Sequence, residues 1–484
     1  MKFENARPMQ RLLAIATLTW KAAFRFRLSW VLLALLLGAV VALPLLVKDD
    51  GTARGFTQIL LTYTLGVITT LLGFATLWLA CGTLARDIEE CQIQVVAVKP
   101  IARWQIWLGK WLGIVLLNAA LLAVSGGSVY ALMHWRANQM EKQLTQARSR
   151  QDTNQIARLE REIGILKNEI FVARGSLKEP LPDIEGAVER IFRERIEKTP
   201  VPPAEHEQLR KNLREQLKAG VQIVPPGYSR SWVIDLGLRK HLLRDEPLYL
   251  RAKFHAARTN ASGIYLGLWQ VGIPEKTAVW QDIKSQAADT YHEFAIPPGL
   301  FDEEGKLTVL FHNRNNTALL FPLEDGFEVL YREGGFGLNY ARGLLILLCW
   351  LALMAAVGLA SASLMSFPVA AFFSASLLVV ALMSGTLSGI VAEGSVLGSN
   401  HETGAATASW INAVMIPFFR AILKVVNLVE GFSPVASLST GRSITWGQLA
   451  QACAQIVLLL GGIFSVAGMV LFTRRELAAA QGNA

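Results

Sequence analysis

The chain has 484 residues, of which 52% are hydrophobic and only 18% are charged, and its mean hydropathy is +0.35. This composition excludes an ordinary soluble globular protein and is typical of a protein that is partly embedded in a bilayer. The formal charge of +9 would suit a nucleic-acid partner. However, the excess lies beside the apolar segments and the long polar segment 134–342 is nearly neutral, which argues against nucleic acid.

The N-terminal segment, residues 1–27, predicts a helix that lies in the cytoplasmic membrane interface. Residues 8–27 read PMQRLLAIATLTWKAAFRFR and alternate apolar and basic residues at roughly helical spacing. We expect Trp20, Lys21, Arg25 and Arg27 to lie at headgroup level. The alternative is that this stretch only extends the first span into water.

Six stretches are long and apolar enough to span a bilayer core of about 30 Å, three in residues 28–133 and three in residues 341–484. Basic residues before the first and after the last place both termini in the cytoplasm by the positive-inside rule. Ionisable residues are almost absent inside these stretches, so ion-coupled transport by this chain alone is disfavoured. The predicted spans are residues 28–47, 56–84, 107–133, 343–365, 369–391 and 449–472.

The segment 134–340 lies between the third and fourth predicted spans, so the predicted orientation puts it outside the cytoplasm. Its first part, residues 134–227, predicts a helical hairpin. Apolar residues from Ile156 to Ile170 recur every three or four positions, and a second apolar stripe in residues 183–219 supplies a partner. A charged, solvated helix without a specific partner is the alternative.

After Pro225-Pro226-Gly227 the pattern changes to short alternating segments separated by turn residues. This pattern predicts a jelly-roll-like β-sandwich over residues 228–340. Trp232, Trp269 and Trp280 are candidates for an external ligand surface that binds a glycan or an envelope protein. In such a fold, tryptophans more often fill the core. The predicted fold class is an α-helical integral membrane protein with six transmembrane helices and an extracytoplasmic α+β insert.

No catalytic or nucleotide-binding motif occurs in the sequence. GxxxxGK[ST], HExxH, CxxC and GxSxG are absent, and the seven histidines are scattered. All four cysteines lie in or beside predicted spans, so no disulfide framework is expected in the polar insert. The sequence therefore predicts neither an enzyme nor a metal or cofactor bound by this chain.

One polar segment, RDIEECQIQVVAVKPIARWQIWLGK at residues 86–110, separates the second and third spans. Its acidic end and apolar run are followed by Pro100, which interrupts a helix and restricts Lys99 before it. This short amphipathic elbow, residues 86–105, is suited to receive a soluble partner. The predicted contact residues are Arg86, Asp87, Glu89, Glu90, Gln92, Lys99, Pro100, Ile101, Arg103 and Gln105.

This segment resembles the membrane subunits of type-2 ABC transporters, in the branch of the nitrous-oxide-reductase maturation permeases. In those proteins an acidic residue, a short apolar run and a K/R-P-x-x-R motif precede Gly-Lys. Cys91-Gln92 departs from the family, which commonly has Gly-Thr. TLTWKAAFRFRLSWVLLALLL and the last span with its closing Arg474-Arg475-Glu476 also resemble the family, as does an external amphipathic helix at 410–430. The matching positions are Glu89, Gln92, Val95, Lys99, Pro100, Ile101, Arg103, Gln105, Gly109 and Lys110.

The resemblance implies a homodimeric permease of the inner, cytoplasmic membrane that exports an unknown substrate. ATP and Mg²⁺ would be bound by two separate cytoplasmic ATPase subunits, whose closure is transmitted through the interface helix and the 86–105 segment. Two alternatives stay open. One is a mechanotransmitting ABC membrane subunit that moves its external domain without passing substrate, and the other is a membrane-anchored protein that binds a glycan or an envelope protein.

Overall fold

The computed structural model describes residues 8–25, 28–46, 52–90, 101–198, 202, 206–260, 262–396 and 410–475. These residues form two compact units with separate hydrophobic cores. The helical unit is taken from residues 1–172 and 335–484, and the β unit from residues 173–334.

Helices make up most of the helical unit and part of the β unit. Three π-helical stretches, Ile59–Thr64, Leu166–Ile170 and Cys453–Gly461, continue α-helices. The α-helices are α1 (Pro8–Arg25), α2 (Leu28–Leu46), α3 (Ala53–Gln58), α4 (Leu65–Glu89), α5 (Arg103–Ser149), α6 (Thr153–Ile165), α7 (Ile184–Lys198), α8 (His206–Gln222), α9 (Lys240–Leu243), α10 (Phe336–Leu364), α11 (Phe367–Leu382), α12 (Ser384–Glu393), α13 (Trp410–Glu430), α14 (Pro434–Ser439), α15 (Trp446–Ala452) and α16 (Gly462–Arg474).

In the described part of the chain, five helices are long and apolar enough to cross a membrane by length and composition. Four of them coincide with predicted spans. Helices α11 and α12 are bent by 58° at their junction and would together make a sixth, at the predicted span 369–391. In α2, at the first predicted span, Trp30–Leu43 is a shorter apolar helix. The five are Gly55–Glu89, Arg103–Ser149, Phe336–Leu364, Trp410–Glu430 and Trp446–Arg474.

Helix α13 is a candidate span at the position where the resemblance predicts an external amphipathic helix. It is long and apolar enough to cross a membrane by length and composition, and it carries Arg420 and Lys424. Charged side chains at the centre of a bilayer are costly. Only Asn412 and Leu423 are buried along the helix. Its position outside the membrane stays a prediction.

Helix α10 lies at the centre of the helical unit, where it packs against α4, α5, α11 and α16. It is the most buried of the candidate spans. At Gly358 a Cβ would lie 2.7 Å from Ala80 Cβ on α4. Because small residues let helix backbones approach, this glycine sets the close crossing of α10 and α4.

Helix α5 is one continuous helix of 47 residues that runs well beyond the predicted span 107–133. No glycine or proline interrupts residues 128–149, so the helix continues into polar sequence. After a short turn α6 folds back on α5, and the ion pairs Lys167–Glu141 and Arg148–Glu160, each 2.7 Å, join the two. The apolar stripe of residues 156–170 therefore packs on α5 itself rather than on residues 183–219.

Helices α7 and α8 of the β unit pack on each other. Val188, Phe192 and Leu213 form a small core between them, and Arg214 Nε lies 2.6 Å from Glu185 Oε1. The single helical hairpin predicted for residues 134–227 is thus replaced by two helix pairs, α5 with α6 and α7 with α8. The reason is that α5 supplies the nearest partner for α6 along the chain.

Among its described residues, the β unit contains two four-stranded sheets and a smaller three-stranded one, with the strand orders β1-β11-β4-β8, β3-β9-β6-β7 and β2-β10-β5. Strands β1 and β2 precede residue 228, so the sheets extend into the segment predicted to be only helical. The strands are β1 (Val172–Leu177), β2 (Ile223–Val224), β3 (Ser229–Asp235), β4 (Leu248–Ala252), β5 (His255–Ala256), β6 (Ile264–Val271), β7 (Trp280–Ala287), β8 (His292–Ile296), β9 (Lys306–Asn313), β10 (Leu319–Leu320) and β11 (Phe327–Gly335).

Aromatic side chains join the two four-stranded sheets into one core. Trp232 on β3 stacks on Phe327 of β11 with ring centroids 4.4 Å apart, and Trp269 on β6 meets Phe294 of β8 at 5.5 Å. Two sheets around a shared core are the arrangement that the alternating apolar pattern predicts.

Candidate functional site

The predicted contact segment, residues 86–105, lies where helices of the helical unit end or begin. Helix α4 ends at Glu89 and α5 begins at Arg103, and side chains from both reach the ends of neighbouring helices. We name this region the helix-end cluster: residues 83–90, 101–110, 362–367 and 472–475.

Lys110 is the buried cation of the helix-end cluster, with its side chain only 10% exposed. Its Nζ donates to Asp87 Oδ2 at 2.6 Å and to the Thr83 carbonyl at 2.7 Å. A charge this buried needs a close acceptor, because desolvation of an unpaired ammonium is costly. Asp87, predicted to contact a partner protein, therefore binds α5 of its own chain.

Glu89 and Arg86 join the end of α4 to the start of α11. Glu89 Oε1 accepts a hydrogen bond from the Phe367 N–H at 2.9 Å. This N–H is one of the free donors of the first helical turn, where the helix dipole favours an anion. The Arg86 guanidinium lies over the Phe367 ring, 4.5 Å from its centroid. Both residues remain exposed, so a partner can still reach them.

Two arginines bind the carbonyl ends of helices. Arg103 Nη1 donates to the Thr473 carbonyl at 2.7 Å and to the Arg475 carbonyl at 2.9 Å, just beyond the last turn of α16. Arg475 in turn donates to the Ser363 carbonyl at 3.2 Å, at the end of α10. Cations at helix C-termini satisfy free carbonyls and complement the dipole. The cluster thus links α5 to α16 and α16 to α10.

The remaining predicted contact residues have different places. Gln105 is 5% exposed, and its side chain accepts from the Ala102 N–H to complete the cap of α5. Ile101 is half-buried and Glu90 is exposed. Outside the described residues lie Gln92, Lys99 and Pro100.

Helix α1 packs along the start of α5, next to the helix-end cluster. A Cβ on Gly113 would lie 2.7 Å from Thr19 Cβ and 2.8 Å from the Ala16 carbonyl oxygen, and one on Gly109 would lie 2.7 Å from Ile15 Cβ. The two glycines are one turn apart and allow the helices to touch along their backbones.

The predicted interface residues of α1 are partly described. Trp20 is half-buried and Lys21 is exposed. Arg25 ends the helix, but its side chain and the whole of Arg27 lie outside the described residues. Leu18 is 65% exposed, so the face of α1 that points away from α5 is both apolar and basic, as an interface helix requires.

The three tryptophans predicted as an external ligand surface lie in different environments. Trp232 and Trp269 are 2% and 0% exposed, and their rings are stacked within the core of the β unit. Trp280 is half-buried against Phe294. The prediction of an external ligand surface is wrong for Trp232 and Trp269, because the alternation of side chains along β3 and β6 turns both tryptophans into the core.

The pairing of charges was not visible in the sequence. Lys110 reads there only as a basic anchor at the start of a span, and Arg475 only as part of the closing Arg-Arg-Glu. The available signal was position: Lys110 falls inside the predicted span 107–133, where an unpaired cation is not tolerated.

Among the described residues no group of three or more His, Cys, Asp or Glu side chains could hold a metal ion. No protein-family model matches the chain, and comparison with curated proteins and with solved structures likewise finds no match.

Proposed function

We propose that the chain is the permease subunit of an ABC transporter, an exporter that works as a homodimer and is driven by separate cytoplasmic ATPase subunits that bind ATP and Mg²⁺. In this proposal the spans are α2, α3–α4, α5, α10, the bent pair α11–α12 and α15–α16 in the inner membrane. Both termini are cytoplasmic, and α13 and the β unit, a jelly-roll-like sandwich, are outside.

The helix-end cluster is the observation that supports this proposal. A protein that pushes on residues 86–105 contacts a segment whose side chains bind α5, α11 and α16 directly, and α10 through Arg475. Force applied at one place would therefore reach several spans together. An energy-coupling segment needs this property, because packed helices move as rigid elements.

Cross-linking at Trp104 tests whether an ATPase binds at this end of α5. Trp104 lies in the first turn of α5 and is 44% exposed. A photoreactive amino acid placed there should capture a P-loop ATPase subunit in cell membranes, identified by mass spectrometry. Trp135, 56% exposed on the same helix just beyond the far end of the predicted span 107–133, is the matched control and should capture none.

Equal capture from both positions, or capture of no ATPase from Trp104, would count against the proposal. Charge reversal at Glu89 and Arg103 is a weaker test, because both residues bind helices of their own chain. Loss of the complex in such a variant would not separate a lost partner contact from a loosened helix-end cluster.

Force transmission without transport is a second candidate, favoured by the length of α5. Its 47 residues span about 70 Å at 1.5 Å per residue, more than twice a bilayer core of roughly 30 Å. One rigid helix thus connects the helix-end cluster with the hairpin that it forms with α6.

An interruption of α5 beyond the predicted span distinguishes the two candidates. Asn138 is exposed, and Asn138→Pro should break the helix there without disturbing the helix-end cluster. Spin labels at Ser149 and Trp446 would report whether ATP changes the position of the hairpin. Force transmission predicts that the distance between the two labels changes with ATP in the unaltered chain and that this change is lost in Asn138→Pro. A distance that does not respond to ATP even in the unaltered chain would contradict force transmission.

A further inference from the structure

The connection between β3 and β4 carries two leucines that are almost fully exposed. Leu238 is 95% and Leu242 is 78% exposed, and they lie four residues apart across a 3₁₀ turn and the short helix α9. Leu236 and Leu243, beside them in sequence, are buried in the core of the β unit. We name residues 236–243 the leucine turn: two leucines fix it in the core and two are displayed to the outside.

This arrangement differs from the scattered apolar residues that any protein surface carries. A single exposed leucine needs no explanation, but two on one short turn form a contiguous apolar feature. The turn is held rigidly, since the Leu236 N–H donates to the Gly305 carbonyl at 2.8 Å and Lys240 Nζ donates to the Glu303 carbonyl at 2.7 Å. The leucines are therefore presented by the fold.

The leucine turn lies at the end of the β unit from which the chain continues into α10. The Arg239 guanidinium is 5.4 Å from the Tyr331 ring centroid on β11. Strand β11 ends at Gly335, and α10, a candidate membrane span, begins at Phe336. Five residues of extended chain between Tyr331 and Phe336 cover about 17 Å. Tyr331, which the turn contacts through Arg239, is thus close along the chain to the start of an apolar helix.

The charges around the leucine turn are mixed in sign. Arg239 and Arg244 are exposed, and so are Asp245 and Glu246 directly after them. An anionic surface that attracted the arginines would repel the two acids. Attraction to anionic lipid is therefore a poor driving force here, whereas insertion of apolar side chains needs no net charge.

We propose that the leucine turn inserts Leu238 and Leu242 into the outer interface of the bilayer, with the upper acyl-chain region of the phospholipids as its ligand. The two side chains attach the β unit to the membrane. This inference requires that the apolar helices lie in a membrane, and it holds equally for a permease and for a force transmitter.

Fluorescence quenching by lipid tests the insertion on the full chain in nanodiscs, without any ATPase. Leu238→Cys is made in a chain whose four native cysteines are replaced by alanine, checked for monodisperse elution, and labelled with an environment-sensitive dye. The nanodiscs contain phosphatidylcholine with a spin label near the top of the acyl chain. Tyr228→Cys is the matched control, since Tyr228 is 67% exposed and precedes the opposite end of β3.

The dye at position 238 should be quenched several times more strongly than the dye at 228. Adding Leu242→Asp, a change at an exposed site, should reduce quenching at 238 toward the control level. Without the Leu242→Asp change, replacing half of the lipid by phosphatidylglycerol should leave the quenching at 238 unchanged. Equal quenching at 238 and 228 overturns the proposal, and it does so even if the turn is later found to contact another protein. Quenching at 238 that requires anionic lipid overturns the apolar mechanism.

Discussion

Replacing Gly113 by alanine should weaken the attachment of α1 to α5. The added Cβ would lie 2.7 Å from Thr19 Cβ and 2.8 Å from the Ala16 carbonyl oxygen, and this carbonyl belongs to helix backbone that cannot turn aside. Overpacking of this kind costs about 1–3 kcal/mol. The better helix propensity of alanine contributes roughly 1 kcal/mol in the opposite direction.

Gly127 on the same helix is the matched control, because a Cβ there meets no atom within 4 Å. Gly127→Ala gains the helix propensity without the clash, so the two variants should differ by about 1–3 kcal/mol, with Gly113→Ala the less stable. The midpoint of thermal unfolding of the full chain in detergent measures the difference, and protease cleavage within α1 reports its detachment. A midpoint of Gly113→Ala at or above that of Gly127→Ala would refute the close crossing.

Three further predictions follow from buried and paired groups. Asp87→Ala should destabilise the chain by up to about 3–5 kcal/mol, because it leaves the Lys110 ammonium without its carboxylate; adding Lys110→Met should recover stability in thermal unfolding, and no recovery would contradict the pairing. Burial alone would raise the pKa of Asp325, but hydrogen bonds from Tyr291 and a neighbouring lysine hold it below its ordinary value of 3.8. The resulting stability is present above pH 3.8 and lost as the pH falls through the lowered pKa. Asp325→Asn should therefore reduce the loss of the free energy of unfolding between neutral and acidic pH; an unchanged pH dependence in this range would exclude the contribution of Asp325. Trp232→Ala should cost about 3–5 kcal/mol of stability, measured by denaturant unfolding, and a negligible cost would contradict its core position.

The sequence predicted most of the architecture because each kind of element leaves a local pattern. Apolar runs of about 20 residues located four of the candidate spans, and alternation after Gly227 located the sheets. What remained hidden depends on long-range partners. The stripe from Ile156 to Ile170 shows that a partner exists, but not that α5 continues far enough to be that partner.

The same limit applies to the candidate site. The segment 86–105 is conspicuous as charge between apolar runs, yet its charges could equally face a second protein or the chain's own helix ends. Glu89 binding the Phe367 N–H and Arg103 binding the Thr473 carbonyl join residues more than 270 positions apart. Such pairs follow from the fold and leave no spacing in the sequence that would identify them.

Because α5 is continuous, its length fixes both the distance of the hairpin from the helix-end cluster and the direction in which the hairpin faces. Each residue added to an α-helix turns its far end by about 100° and advances it by about 1.5 Å. One residue inserted between the predicted span and Glu141 would turn the whole hairpin, α6 included, by about 100° relative to the start of α5, whereas seven, nearly two full turns, would restore its orientation and move the hairpin about 10 Å farther along the helix axis. The length of α5 can therefore change in steps of seven residues: each step changes the distance between the hairpin and the helix-end cluster but keeps the direction in which the hairpin faces.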